Sequence, residues 1–213
     1  MHSTQPSETS LSTGNNTFFA RDGKLTPLAR LLLLLGALLL IGTYFVPIWR
    51  IELWAPQYPE GLYLGIWLTH LTGNVDSINN LNHYIGMKTI HQESFPEFKV
   101  LPYAIGVLFA AGVLAAVVGR RWAATAWLIS LVLFLTIAMV DFYQWEYDYG
   151  HNLDPKAPIK LEGMSYQPPL IGYKQLLNFE AYSLPDTGAW LIGIATAIAA
   201  LVVLLSYWKR QPR

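Results

Sequence analysis

Histidine and methionine are the residues of this chain whose types and spacing could hold a metal ion. His83, Met87 and His91 follow one another at intervals of four residues, and His151 and Met164 lie further along the chain. Imidazole nitrogen and thioether sulfur form a ligand set that suits copper, and Cu(I) in particular. We therefore predict copper as the candidate metal, with His83, Met87, His91, His151 and Met164 as its candidate ligands.

Helical geometry limits how these residues could combine. On one continuous helix, His83 and His91 would be about 12 Å apart along the axis, because each residue rises 1.5 Å. That separation is too large for the two side chains to share one ion. Only adjacent pairs of these residues could chelate an ion, unless Gly86 breaks the helix and folds the segment back. Because neither loop alone offers a compact set of three ligands, we expect a copper site to pair the segment of His83 with that of His151. The alternative, that the histidines are hydrogen-bonded structural residues of folded loops, stays open.

Other cofactors and activities find little support in the composition. The chain has no cysteine, which excludes disulfides, c-type haem attachment and iron–sulfur clusters. We expect no haem and no flavin either. The formal net charge is zero, which does not point to nucleic acid as a partner. The sequence contains no Ser/His/Asp order, phosphate loop or zinc-protease signature, so we expect no enzymatic activity.

Four uncharged apolar runs must position the candidate ligands. They comprise residues 31–49, 100–119, 122–140 and 187–208. A bilayer core about 30 Å thick needs about 20 apolar residues in a helix, so the sequence predicts four transmembrane helices. Ionisable residues are absent from all four runs. This argues against an ion pump or coupled transporter and against histidine-ligated haem within the bundle.

Basic residues predict the orientation of these helices. Arg30, Arg120, Arg121 and Lys209 flank the runs on one side, whereas the lysines of the other side are dispersed over two long loops. Because Lys and Arg next to the membrane stay in the cytoplasm, both termini should be cytoplasmic and both long loops extracytoplasmic. The fold class is thus an all-α integral membrane protein with four transmembrane helices and a small cap made by the outer loops.

The same patterns divide the chain into segments. We expect a disordered cytoplasmic segment over 1–28, transmembrane helices over 29–49, 100–119, 122–142 and 187–208, outer loops over 50–99 and 143–186, and a tail over 209–213. In the first loop, alternating apolar residues over 62–68 predict a short strand, and helical spacing over 76–85 predicts a short helix that Gly86 could end. The second loop contains several prolines, so we expect it to be irregular.

Four segments of the outer loops resemble the NosB-like multi-pass membrane proteins that accompany clade II nitrous oxide reductase gene clusters. The segments are 56–61, 82–87, 150–155 and 168–172. The resemblance covers both loops and the four-span layout. It implies a location in the bacterial cytoplasmic (inner) membrane and a role in the biogenesis of, or electron supply to, that copper enzyme. Other membrane or periplasmic proteins of such a pathway would be its partners.

Two further functions remain open from the sequence. A scaffold subunit of a membrane complex would dock its partner through aromatic side chains of the outer loops without binding metal. The aromatic residues for this role are Trp54, Tyr58, Trp67, Trp145, Tyr147 and Tyr149. A quinol-interacting redox subunit is the other alternative, but it needs a cofactor site that the apolar runs do not provide.

Overall fold

The computed structural model describes residues 20–21, 23–159, 163, 165–176 and 178–208. Within these ranges the helices are α1 (Pro27–Gly42), α2 (Val75–Ile85), α3 (Glu97–Val118), α4 (Arg121–His151) and α5 (Thr187–Tyr207), with a 3-10 turn at Gln92–Ser94. The strands are β1 (Ala20–Arg21), β2 (Lys24–Leu25), β3 (Trp49–Ala55), β4 (Tyr58–Ile66), β5 (Leu71–Gly73), β6 (Gly172–Leu176) and β7 (Phe179–Pro185). The predicted tail over 209–213 lies outside the described residues, as does most of the predicted disordered segment over 1–28.

The prediction of an all-α fold is wrong, because the outer segments form an antiparallel sheet of five strands in the order β5-β4-β3-β7-β6. Its central pair joins the two loops, since β3 from the first loop aligns with β7 from the second. The expectation of an irregular second loop is therefore also wrong. Both strands of that loop form because they pair with other strands of the sheet. Local alternation of apolar residues does not reveal such pairing.

The prediction of four transmembrane helices is wrong as well. Among the described residues, three helices are long and apolar enough to cross a membrane, namely α3, α4 and α5. They indicate a membrane protein. The predicted helix over 29–49 is instead α1, which ends at Gly42 after 16 residues and is about 24 Å long. Pro47 cannot continue a helix, and Trp49 already pairs in the sheet.

The helices form one bundle around small residues. α1 packs against α3 and α5, and its residues Leu33 and Ala37 are fully buried there. The indole of Trp127 fills the centre, where its Nε1 donates a hydrogen bond to the Leu108 carbonyl at 2.9 Å. A Cβ atom on Gly112 would stand 2.7 Å from that indole. A glycine is thus needed where α3 meets the largest side chain of the core.

The bundle has one basic end and one end that carries the sheet. At the basic end, the Leu25 amide donates to the Gly119 carbonyl at 2.8 Å, so the start of α1 lies beside the turn between α3 and α4. The Arg30 guanidinium donates to the last carbonyls of α3, at 2.7 Å from the Ala116 oxygen. At the other end, the Asp186 amide donates to the Ile48 carbonyl at 2.9 Å, which fixes the start of α5 to the start of β3.

α4 connects the bundle to the sheet without a break. Its apolar part ends near Val140, but the helix continues to His151 because no proline interrupts it. Along this extension Trp145 stacks on Phe142, with ring centroids 5.8 Å apart, and Phe142 meets Trp49 of β3 edge to face at 5.4 Å. The extension thereby packs beneath the sheet and completes a second apolar core with β3, β4 and α2.

Candidate functional site

A cavity lies between the inner face of the sheet, α2 and the extension of α4. Its walls are almost entirely aliphatic and aromatic and include Ile51, Leu53, Leu64, Ile78, Leu81 and Trp145. Its volume is about 60 Å³, measured as the space open to the centre of a water molecule. One water molecule needs about 10–15 Å³ on that measure. The cavity therefore has room for about four water molecules or a small group of atoms of similar size.

Glu146 is one of the residues that line this cavity. Its side chain is fully buried, and no described residue offers a hydrogen-bond partner to either carboxyl oxygen. Glu146 is one turn beyond Phe142, about 9 Å past Val140 along α4, so it belongs to the part of the helix that packs on the sheet. Burial raises the pKa of Glu146 from 4.5 to about 8, with the charge of Lys174 acting in the opposite direction.

A second unpartnered polar group lies at the same cavity. The Tyr166 side chain is 2% exposed, and its hydroxyl has no hydrogen-bond partner among the described residues. Its backbone amide donates to the Gly150 carbonyl at 2.9 Å, one helical turn beyond Glu146. The segment with Tyr166 thus runs directly against α4, and it brings the phenol to the cavity that Glu146 lines.

Three further polar side chains line the cavity, those of Asn82, Trp145 and Tyr149. The Tyr149 hydroxyl donates to the Thr89 carbonyl at 3.3 Å, whereas Trp145 Nε1 has no hydrogen-bond partner among the described residues. Asn82 is buried in α2, and its side-chain amide donates to the Lys88 carbonyl at 3.0 Å. The Asn82 backbone carbonyl accepts from the Met87 amide at 2.9 Å, so the chain turns back just after Gly86. Met87 follows this turn and lines the cavity. The cavity thus presents two unpartnered hydroxyl-bearing groups, a carboxylic acid and a phenol, within an apolar wall.

These groups define what the site can do. A carboxyl group that is neutral at pH 7 can donate one hydrogen bond and accept another, and a phenol can do the same. In surroundings without water competition such bonds are stronger than at the surface. The arrangement suits the binding of an uncharged polar group, or proton exchange near pH 8 at Glu146.

The structure separates the first three predicted metal ligands. α2 ends at Gly86, whose φ of 80° is left-handed, so the helical spacing of His83, Met87 and His91 does not continue. His83 is exposed on α2 with its ring edge to face against Tyr84. Met87 points into the cavity, while His91 is exposed just before the 3-10 turn.

The fourth predicted ligand, His151, is the last residue of α4. Its ring is exposed and stacks on Tyr147 with centroids 4.0 Å apart. The fifth, Met164, lies outside the described residues. Among the residues that are described, no group of three or more His, Asp or Glu side chains is arranged to hold a metal ion. Copper binding by this set therefore stays a prediction.

The two outer segments nevertheless meet close to two of these histidines. Lys88 and Asp148 form an ion pair at 2.5 Å, and the Asp154 amide donates to the Gly86 carbonyl at 2.8 Å. His83 is one helical turn before Gly86, and His151 lies between Asp148 and Asp154 in sequence. The contact between the end of α2 and the end of α4 therefore brings both neighbourhoods to one surface.

Sequence reasoning missed Glu146 and Tyr166. The signal for Glu146 was its place in the helical series Phe142, Trp145, Tyr149, in which aromatic residues recur on one face. Because the predicted transmembrane helix ends at residue 142, position 146 falls in the predicted outer loop, and the acidic residue has no helix face assigned to it. Tyr166 carries no local signal, since it is positioned by its backbone contact with Gly150.

Comparison with known proteins gives no match to a family model, a curated protein or a solved structure. The resemblance to NosB-like proteins thus rests on the four quoted segments alone. Residues from three of them, Asn82, Met87, Gly150 and Pro168 among others, line the cavity or the helix turn beside it. Three of the four resembling segments therefore lie close together in the fold.

Proposed function

We propose that this chain is a non-enzymatic accessory protein of the bacterial cytoplasmic membrane that assists the biogenesis of nitrous oxide reductase or supplies it with electrons. The helical bundle anchors the chain in the membrane. The sheet, α2 and the extension of α4 form the domain that carries out this role. The proposal rests on the membrane-crossing helices and on the convergence of the resembling segments in the sheet domain.

The distribution of charge supports an orientation with the sheet in the periplasm and both termini in the cytoplasm. Arg30, Arg120 and Arg121 cluster at the basic end of the bundle, where the start of α1 meets the turn between α3 and α4. Positive residues next to membrane helices are retained on the cytoplasmic side. The sheet, at the opposite end, would then face the compartment in which copper enzymes of this kind are assembled.

The observation that carries the proposal is the continuity of α4. One helix of 31 residues runs from Arg121 at the basic end to His151 beside the sheet, so the sheet domain is held at a fixed height and angle above the bundle. A domain fixed in this way suits docking of a partner at the membrane surface. Exposed His83 and His151, near the contact between α2 and α4, are the candidate copper contacts on that surface.

A scaffold function without metal is the second candidate, and the exposure of aromatic residues favours it. Tyr84, Tyr147 and Tyr173 are 54%, 48% and 50% exposed on the sheet domain. Aromatic side chains with polar tips are frequent anchors of protein interfaces. Two of the aromatic residues expected for docking instead pack in the second core, where Tyr149 is buried and Trp145 is partly buried.

Deletion of the gene tests the proposal in an organism that makes both proteins. We expect nitrous oxide reductase from the deletion strain to contain less copper or to receive fewer electrons, and the wild-type chain to restore it. Unchanged copper content and unchanged reduction rate of that enzyme would overturn the proposal. Variants then separate the two candidates. If His83→Ala/His151→Ala fails to restore, copper handling is supported. If Tyr84→Ala/Tyr173→Ala fails while the histidine variant succeeds, the scaffold role is supported.

A further inference from the structure

We propose that the cavity beneath the sheet is a binding site for a small uncharged molecule, or the end of a larger one, that carries a carbonyl-type hydrogen-bond acceptor. The Glu146 carboxyl and the Tyr166 hydroxyl are the groups that recognise it. This site is separate from the exposed histidines. Its existence does not depend on any role in copper-enzyme assembly.

The first argument is the conjunction of two unpartnered groups at one cavity. Buried polar side chains in folded proteins are almost always hydrogen-bonded. Glu146 and Tyr166 both lack a partner among the described residues although both are more than nine-tenths buried. Buried Asn82 at the same cavity and buried Ser183 of β7 have theirs. Of the buried side chains with an unpartnered atom among the described residues, Trp145, Glu146 and Tyr166 line the cavity, whereas Arg50 and Arg121 do not. The cavity has space for a group that would complete the bonding of Glu146 and Tyr166.

The second argument concerns charge, and it favours a neutral ligand. Lys174 of β6 is the charged residue whose field acts on Glu146, and its ammonium group donates to the Gln167 carbonyl at 3.0 Å. Lys88 is paired with Asp148, and Arg50 with Glu52 on β3. The other titratable groups at the cavity are the phenols of Tyr149 and Tyr166. Among the described residues, no cation therefore faces Glu146 closely enough to hold it ionised.

A cationic ligand fits this cavity less well than a neutral one. Recognition of organic cations uses the open faces of aromatic rings. Here the faces are engaged by other rings, because Trp145 stacks on Phe142 at 5.8 Å and Tyr149 stacks on Phe95 at 6.2 Å. The remaining walls are aliphatic. These walls exclude water from the ligand and strengthen the two hydrogen bonds that select it.

Acetone is a suitable probe, because it is uncharged, carries one carbonyl acceptor and has four heavy atoms, which matches the space in the cavity. Isobutene has the same shape without the acceptor and is the matched control. Infrared difference spectra of the full chain in phosphatidylcholine nanodiscs would follow the carbonyl band of protonated Glu146. We expect this band to be absent in Glu146→Gln and present in Glu180→Gln, whose altered residue is exposed on β7. We expect acetone, and not the hydrocarbon, to shift it.

The affinity for acetone should also depend on pH in a predictable way. Only the protonated acid donates, so with a pKa of about 8 binding should weaken about tenfold between pH 7 and pH 9. Glu146→Gln keeps a donor at every pH and should lose this dependence, and Tyr166→Phe should bind several-fold more weakly. A Glu146 band that acetone leaves unshifted, or that both compounds shift alike, would overturn the proposal. So would equal affinity in the wild type and Glu146→Leu.

Discussion

A Cβ atom on Gly150 would stand 2.4 Å from the Cα atom of Gln167. The last turn of α4 and the segment that carries Tyr166 therefore touch backbone to backbone. The contact is fixed further by the hydrogen bond from the Tyr166 amide to the Gly150 carbonyl. Any side chain at position 150 would push this segment away from the helix and move the Tyr166 hydroxyl relative to Glu146.

Replacing Gly150 tests whether this backbone contact leaves room for a side chain. Gly150→Ala should lower the free energy of unfolding by about 2 kcal/mol, because backbone atoms cannot move aside as a flexible side chain can. Gly193→Ala is the matched control, since a Cβ there meets no atom within 4 Å. It should leave stability unchanged or raise it by up to about 1 kcal/mol through helix propensity. Thermal unfolding in detergent measures both, and equal effects would contradict the contact.

The buried acid should make the stability of the protein depend on pH. Glu146 titrates near 4.5 in the unfolded chain and near 8 in the folded one. Between these values the unfolded state releases its proton while the folded state keeps it. The free energy of unfolding should therefore fall by up to about 1.4 kcal/mol per pH unit as pH rises, and this contribution is fully lost above pH 8.

Glu146→Gln isolates that contribution. The amide does not ionise, so the variant should lose less stability than the wild type between about pH 5 and pH 8, and Glu180→Gln should behave as the wild type. Denaturation midpoints at three pH values across this range provide the measurement. Parallel pH profiles for the wild type and Glu146→Gln would show that Glu146 is not held protonated in the folded protein.

The ion pair between the two loops has the opposite pH dependence. The Lys88 ammonium lowers the pKa of Asp148 through its hydrogen bond, with a further contribution from the Asn152 amide. Lys88→Met should therefore raise that pKa toward its ordinary value, as carboxyl NMR titration would record. Lys156→Met should not. Both partners are nearly half exposed, so we expect a stability loss below about 1 kcal/mol.

That loss should also depend on acidity. A carboxyl whose pKa is lowered by folding stabilises the protein above the unfolded pKa, and the stabilisation disappears as pH falls through the folded pKa. The difference between the wild type and Lys88→Met should therefore shrink in acid. A constant difference at all pH values would assign the effect to lost packing of the lysine stem.

Copper binding is testable on the purified protein. If the outer surface holds Cu(I), the solubilised chain should bind it stoichiometrically, and His83→Ala/His151→Ala should lose this binding. His70→Ala is the control, because the His70 ring stacks on Trp67 at 5.1 Å and hydrogen-bonds Thr69. Equal copper content in the wild type and the double variant would exclude these two histidines as the ligands.

Local patterns in the sequence predicted the elements that depend on local contacts. The helical spacing of Ile78, Leu81 and Ile85 corresponds to α2, and Gly86 ends it in the left-handed conformation. Alternation at Leu62 and Leu64 corresponds to buried positions of β4. These patterns are readable because a helix or an amphipathic strand repeats its burial every few residues.

What could not be predicted depends on distant partners. β6 and β7 lie in a proline-containing loop and become strands by pairing with each other and with β3. The 16-residue length of α1 follows from Trp49 and its neighbours being recruited to the sheet. Glu146 acquired its role only because α4 continues beneath that sheet. In each case, contacts between residues far apart in the sequence determine a local structure that the neighbouring residues alone do not determine.

The pairing of β3 with β7 also determines when the sheet can form during synthesis of the protein. Trp49 Nε1 donates to Ser183 Oγ at 2.8 Å, and the two residues are 134 positions apart in the sequence. A ribosome delivers β3 and β4 early, then the α3–α4 hairpin, and only afterwards β6 and β7. Until then the inner edge of β3 has unpaired backbone groups, which is the condition under which strands associate wrongly. The sheet is therefore a late event, completed only after the two helices between its halves have been inserted.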